Sequence, residues 1–169
     1  MWSSEAWRGR AVALLIVPLL AFVAQGCGFQ LQGRNRLPEY MSVVHVATED
    51  NHTSFARELR RALDASGIRV VEDASAASTT VRILKDEAGQ RVLSVSARNT
   101  PEEYEVYYDL VYAVESRGNE VLAPQELRLE RNYAYDETAV LAKQREEQQL
   151  RDAMARDLAS RVIRRLATL

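Results

Sequence analysis

Glu103-Tyr104-Glu105-Val106-Tyr107-Tyr108-Asp109-Leu110-Val111-Tyr112-Ala113-Val114-Glu115 is the stretch that decides the fold. Tyr104, Val106, Tyr108, Leu110, Tyr112 and Val114 fall at every second position, so a strand places all of them on one face, with Glu103, Glu105 and Asp109 on the other. A helix would scatter them around its circumference. Tyr107 breaks the polar face and hints at a contact surface. A strand this long, apolar on one side, needs paired neighbours and a cover. Downstream, Gly118-Asn119 stands where a hairpin must turn. Leu127 and Leu129 then alternate with Glu126, Arg128 and Glu130 in a return strand. Pro124 at its start has no N–H for a ladder, which predicts an edge or a bulge. Upstream, Thr79 to Asp86 sets Val81 and Ile83 against Thr80 and Arg82, Gly89 predicts a turn, and Arg91 to Arg98 sets Leu93, Val95 and Ala97 against Ser94 and Ser96.

The cover comes from two helical periodicities. Phe55, Leu59 and Leu63 recur four apart while Arg57, Glu58, Arg60 and Arg61 face outward. Thr53 and Ser54 supply N-cap candidates, and Gly67 fits the left-handed position that stops a helix. Near the other end, Leu150, Met154, Leu158, Val162 and Leu166 step by four within a helix expected from about Thr138 to Leu166. Asp136 or Thr138 can cap it, and Arg161, Arg164 and Arg165 complement its negative end. Ser42 to Thr48 and Ile68 to Val71 read as two further strands. The order of strand, helix, a run of strands, helix gives an α+β class: a single mainly antiparallel sheet with two helices packed on one face.

Before the first strand the composition changes. Arg8 and Arg10 precede an apolar run from Ala11 to Ala24 that is short for a membrane span and carries Pro18, as a secretory leader does. It ends at Cys27, the only cysteine among 169 residues. A lone thiol in an exported protein has no internal disulfide partner. Ala24-Gln25-Gly26-Cys27 resembles the bacterial lipobox, which implies S-diacylglycerol and N-palmitoyl groups on Cys27 as the new N-terminus. Gly28, in place of the Asp that marks inner-membrane retention, then implies the outer membrane. The expected organisation is a cleaved leader over 1–26, an acylated tether over 27–41 and one folded domain over 42–169. Losing Arg8, Arg10 and Glu5 leaves 20 basic against 23 acidic side chains, a formal charge of −3. That balance does not suit a nucleic-acid binder. Only four prolines and seven glycines are present, too few for long low-complexity stretches.

Catalytic patterns are missing from the sequence. His45 lies in a strand and His52 in a turn, and no HxH, HxxE or CxxC spacing supplies the further ligands a metal needs. No Gly-x-Ser-x-Gly elbow and no glycine-rich phosphate loop accompany the serines. No enzyme, cofactor or metal is expected. Carboxylates on strands and helices read as solvated charge. Arg98, at the mouth of the loop Asn99-Thr100-Pro101, is placed to reach a phosphate in bidentate geometry, with solvated surface charge as the alternative. Lys143, in the first turns of the last helix, has Glu146 or Glu147 as alternative partners.

Lined up, these pieces resemble the LPS-assembly lipoprotein (LptE, rare lipoprotein B) family. The resemblance rests on Gly26-Cys27-Gly28-Phe29-x-Leu31, Pro38, Leu59-x3-Leu63-x3-Gly67 and Glu103-Tyr104-Glu105. It rests most on Arg131-Asn132-Tyr133-x-Tyr135-Asp136 followed by Val140-Leu141-Ala142-Lys143, then Glu146, Leu150 and Met154. It implies a non-catalytic, lipid-anchored subunit of the outer-membrane lipopolysaccharide translocon that plugs the LptD β-barrel, helps it assemble, and presents Arg98 and Lys143 to lipid A phosphates. A stand-alone periplasmic lipoprotein that binds a lipid or scaffolds envelope machinery is the alternative. A lipid hydrolase would require His45 or His52 to meet a serine or carboxylate in a pocket.

Overall fold

The structure, a computed structural model, describes residues 37–169. The leader, Cys27 and the tether up to residue 36 lie outside the described residues. The chain forms β1 (Val43–Ala47), α1 (Ser54–Ala65), β2 (Arg69–Val71), β3 (Thr79–Val95), β4 (Pro101–Ser116), β5 (Asn119–Ala134) and α2 (Val140–Leu166). The strands make one sheet in the order β2-β1-β3-β4-β5. The three long strands pair antiparallel, whereas β1 runs parallel to both β2 and β3. The sheet is therefore mixed. The connection from β1 to β2 passes through α1, and a crossover helix returns the chain in the same direction.

The core is the apolar face of this sheet under the two helices. Val106, Leu110 and Val114 of β4 are fully buried, as are Phe55, Leu59 and Leu63 of α1 and Leu158, Val162 and Leu166 of α2. Leu150, the first residue of the α2 stripe, is partly buried. Local signals close α1 as expected. The Thr53 side chain accepts from the Ala56 amide at 3.1 Å. At the other end Gly67 takes a φ of 84° while the Ile68 amide reaches back to the Leu63 carbonyl at 3.1 Å.

Four expectations need correction. Gly89 is not a turn: β3 passes through it as one strand, with Gly89 opposite Tyr107. A Cβ there would stand 2.3 to 2.8 Å from the Tyr107 phenol oxygen and the ring carbons beside it, so Gly89 is required by a close approach and not by a bend. The expected face of Leu93, Val95 and Ala97 is lost too. Register shifts at Leu84 and at Leu93 bulge the strand, and Leu84, Val92, Leu93 and Val95 are all exposed. The β4–β5 hairpin turns one residue early, on Arg117-Gly118, whose φ angles of 50° and 80° suit the left-handed pair of a two-residue loop. Finally, neither Asp136 nor Thr138 caps α2. Asp136 instead accepts the Thr138 amide and hydroxyl at 2.8 and 2.7 Å, and the N-cap is Ala139, without a side-chain bond. The Pro124 expectation is met: β5 is an edge strand, and its register with β4 slips between Leu122 and Gln125.

Where β1 ends, a polar cluster joins α1 to the sheet. Asp86 of β3 accepts the Thr53 hydroxyl at 2.5 Å and the Tyr108 hydroxyl at 2.7 Å, and the Tyr108 oxygen accepts the Phe55 amide at 3.3 Å. Ser54 donates to Asp152 of α2 at 3.0 Å. Burial, then the bond to Asp86, pushes the Tyr108 phenol well above its ordinary value of 10.0.

Two measurements test this packing. Leu158→Asp should destabilise the fold by about 4 kcal/mol or more, because a buried unpaired carboxylate adds a desolvation cost to the lost packing. Exposed Arg156→Asp should change stability by less than about 0.5 kcal/mol; equal losses in thermal melts would mean that the helix is turned the other way. The second concerns alkaline pH. Tyr108 keeps its proton when folded but releases it near pH 10 when unfolded, so stability is full below about pH 10 and falls as pH rises above it. Tyr108→Phe should flatten that fall, leaving the smaller slope from Tyr112, whose phenol burial also raises. Parallel alkaline melting curves for the two proteins would exclude Tyr108 as the source.

Candidate functional site

One end of the sheet gathers the residues singled out for ligand contact. There the β3–β4 loop turns, β5 ends and α2 begins. The loop is closed by Ser96, whose amide donates to the Thr100 carbonyl at 2.8 Å and whose hydroxyl oxygen accepts the Arg98 and Thr100 amides at 3.3 and 3.2 Å. Asn99 adopts a φ of 60°, tolerable for this residue type in a tight turn. Arg98 is thereby held at the tip, exposed, with no ion pair among the described residues. Lys143 sits one turn into α2, only 21% exposed, and its ammonium pairs with Glu146 at 2.9 Å. Of its two alternative partners, then, the structure selects Glu146. Lys143 also adds the last and smallest of the effects that lower the Asp136 carboxyl below its usual range, after the Thr138 hydroxyl and amide bonds. Both cations belong to the same end of the sheet, and no contact between them occurs among the described residues.

The sequence reading did not anticipate what lies between them. Tyr104 stacks on Tyr133 at 5.7 Å between centroids and meets Tyr135 edge-on at 5.3 Å. The Tyr133 hydroxyl donates to Gln90 at 3.0 Å. Around this aromatic shelf Val92, Val95, Val140 and Leu141 remain exposed, Leu141 to 73%. No residue from Val140 to Gln149 is buried, so α2 overhangs the shelf without sealing it. No signal in the residues marked this: Val140 and Leu141 stand fourteen residues before buried Met154 and Ala155, on the same side of the helix, yet both are exposed.

The opposite, helix-free face of the sheet corrects the picture of solvated carboxylates. Glu105 and Asp109 are each only 7% exposed. Lys85 lies 3.0 Å from Asp109 and 3.3 Å from Glu87; Arg91 lies 2.6 Å from Glu105; Arg128 lies 2.9 Å from Glu130 and 3.5 Å from Asp109. The Arg91 and Arg128 approaches to Glu105 Oε1 and Asp109 Oδ1 are ion pairs without hydrogen-bond alignment, since both oxygens lack a bonded donor. Tyr107 sits beneath this lattice with the Arg128 guanidinium 5.7 Å over its ring. The bond to Asp109 first, and the one to Glu87 after it, hold the Lys85 ammonium above its usual range. Alternating charges thus cover this face while the ring fills the space over Gly89.

The histidines stay apart from any such assembly. His45 Nδ1 is 3.1 Å from the Val71 carbonyl, and His52 is exposed in the turn before α1. Among the described residues no group of His, Cys, Asp and Glu is arranged to hold a metal ion, and no helix is long and apolar enough to cross a membrane.

Comparison with known proteins meets this architecture directly. The family model described as "LptE: Lipopolysaccharide-assembly" matches residues 41–166. The LPS-assembly lipoprotein LptE of Yersinia pestis (strain Pestoides F) is 24% identical over 159 residues, covering 94% of this chain and 76% of that protein. Its counterpart in Yersinia pseudotuberculosis serotype O:1b shows the same figures. Among solved structures, rare lipoprotein B from Shewanella oneidensis superposes with a TM-score of 0.64 at 25% identity, over 75% of this chain and 94% of that one. A lipoprotein B from Nitrosomonas europaea shares the fold with a TM-score of 0.69 at 24% identity, over 83% and 90%. The matched span runs from the 3-10 turn before β1 to the last turn of α2, so it takes in every strand and both helices; this chain belongs to the LptE lipopolysaccharide-assembly family.

Proposed function

We propose that this protein is a non-catalytic subunit of the outer-membrane lipopolysaccharide translocon, anchored through acylated Cys27. In this reading it occupies the lumen of the LptD β-barrel, assists that barrel's assembly, and contacts lipopolysaccharide through Arg98 and Lys143. The carrying observation is the family match over residues 41–166, which spans the elements that present both cations. The charged, helix-free sheet face supports the lumen placement, because the interior of a large outer-membrane barrel is polar and a plug needs a polar surface to meet it. An exposed guanidinium on a tight turn, beside tyrosines and uncovered apolar groups, supports contact with an anionic amphiphile. The Lys143–Glu146 pair implies that the lysine must exchange a carboxylate for a phosphate on binding.

Replacing Arg98 and Lys143 together with Ala should weaken lipopolysaccharide binding by about tenfold or more, since charge-assisted bonds to phosphate exceed neutral ones in strength. Circular dichroism and barrel co-purification should not change. Raising the salt should erode wild-type affinity more than that of the double variant, because screening acts only on charges still present. Unchanged affinity in a folded double variant would return both residues to the solvated surface.

The anchor and the partner are tested on the membrane-extracted protein. Intact mass should show acyl groups on Cys27, and mild detergent should release the protein with a much larger β-barrel in fixed ratio. An unmodified thiol would refute the anchor, and recovery alone would favour the stand-alone lipoprotein.

A further inference from the structure

β3 pairs with β1 only as far as Arg82, whereas β4 accompanies it to Val95. Beyond Arg82 one edge of β3 is therefore bare among the described residues. The Tyr135 amide donates to the Glu102 carbonyl at 2.8 Å, so even-numbered residues of β4 bond β5 and odd-numbered ones bond β3. Carried through the register, this turns the backbone groups of Asp86, Ala88, Gln90 and Val92 to the bare side. No proline interrupts this edge as Pro124 does β5. Of the six large apolar side chains exposed among the described residues, four (Leu84, Val92, Leu93 and Val95) lie along it. Such an edge is a template for another strand. Its usable length is bounded twice. The Thr48 to Thr53 loop stands against Ile83, Leu84 and Lys85 at one end, and the bulge at Leu93 breaks the ladder at the other. What remains runs from Asp86 to Val92, with Gly89 at its midpoint.

The charges are antisymmetric about that same residue. Glu87 stands two before Gly89 and Arg91 two after it, both on the helix-free face. A second β3 laid antiparallel about a two-fold axis at Gly89 sets each Glu87 opposite the other copy's Arg91. Existing pairs need not break for this. Arg91 meets Glu105 at 2.6 Å and Glu130 at 3.5 Å through Nη2 alone. Glu87 has only Lys85, at 3.3 Å, whose shorter bond goes to Asp109 at 3.0 Å. Moving the axis to Ala88 would oppose Lys85 to Arg91, and moving it to Gln90 would leave Glu87 against Leu93. On the helix side Val92 comes beside the second copy's Ala88, while Asp86 keeps the Thr53 and Tyr108 hydroxyls. At the axis the strands approach most closely, and there Gly89 has no side chain. The Tyr107 hydroxyl that occupies its place, without a hydrogen bond of its own among the described residues, meets its symmetry mate.

We propose that this edge docks a second copy of the chain, β3 against β3 about a two-fold axis at Gly89, joining two five-stranded sheets into one. The helices of both copies then lie on the same side of the joined sheet. Neither Arg98 nor Lys143 takes part, so the proposal stands apart from the lipopolysaccharide reading.

The test is sedimentation of the full-length protein in detergent over about a hundredfold range of concentration, since so short a ladder makes a small, reversible interface. The wild type should pass from monomer to dimer as concentration rises. Glu87→Arg, at an exposed position, opposes like charges at both ends of the ladder and should weaken the dimer at least about tenfold with the melting temperature unchanged. Val92→Pro removes an amide that is unpaired in the monomer but bonds Asp86 in the dimer, and should abolish dimerisation with the circular dichroism unchanged. A wild type that stays monomeric throughout overturns the proposal, as does a dimer that both folded variants keep. A dimer lost in Val92→Pro but kept in Glu87→Arg overturns the axis at Gly89. A monomer that instead carries a different protein on this edge, released by Val92→Pro, overturns the second copy as the occupant.

Discussion

Asp86 holds the architecture together. Its two oxygens take the Thr53 and Tyr108 hydroxyls, and Tyr108 in turn takes the Phe55 amide. Thr53 is also the N-cap of α1, so the same side chain that ends the helix's run of free amides fixes the helix to the sheet. The cluster sits where β1 has already stopped and β3 continues alone. On one side of it the sheet is five strands wide and covered by two helices. On the other it is a three-stranded extension beneath half of α2. Every group in the cluster has a partner, which is the condition under which buried polar atoms specify a single arrangement.

That division separates the stable part of the molecule from the part available for contact. Toward the β1 side, Leu59, Leu63, Leu158 and Val162 are inaccessible to solvent. Toward the far end, apolar residues surface at Val92, Val95 and Leu141, and the first turns of α2 face the sheet with Lys143, Glu146 and Glu147 as well as Leu150. The extension keeps its shape by other means: a tyrosine stack on one face, and on the other the ion-pair lattice of Lys85, Arg91 and Arg128 over Asp109 and Glu105. Exposed pairs contribute little singly, but here they shield two buried carboxylates that would otherwise be costly. Removing Arg91 would leave Glu105 unpaired where water has limited access, whereas Asp109 has two cations, Lys85 and Arg128.

Much of this was legible in the residues themselves. Period-two alternation in β4 gave the strand and its buried face, and period-four spacing gave both helices. Thr53 and Gly67 marked the ends of α1, because caps are local chemistry that depends on few neighbours. The ordered family pattern was legible as well, and it includes Lys143. The C-terminal stripe needed no tertiary information either, since five apolar residues four apart have only one way to be buried.

What the tertiary structure alone decided concerns residues whose environment comes from another strand. Gly89 looked like a turn because glycine usually frees the backbone, but a ring from the neighbouring strand needed its missing Cβ. Glu105 and Asp109 looked solvated because their own strand puts them on the polar face; cations from β3 and β5 bury them. Bulges at Leu84 and Leu93 undid the expected alternation, since register is fixed by pairing and not by one strand's pattern. The parallel placement of β1 depended on how a crossover helix packs back, and Lys143 pairs with Glu146 while Glu147 is taken by Arg151. Local periodicity determines which face a residue takes; only the neighbours on that face determine whether it is exposed, paired or free to bind.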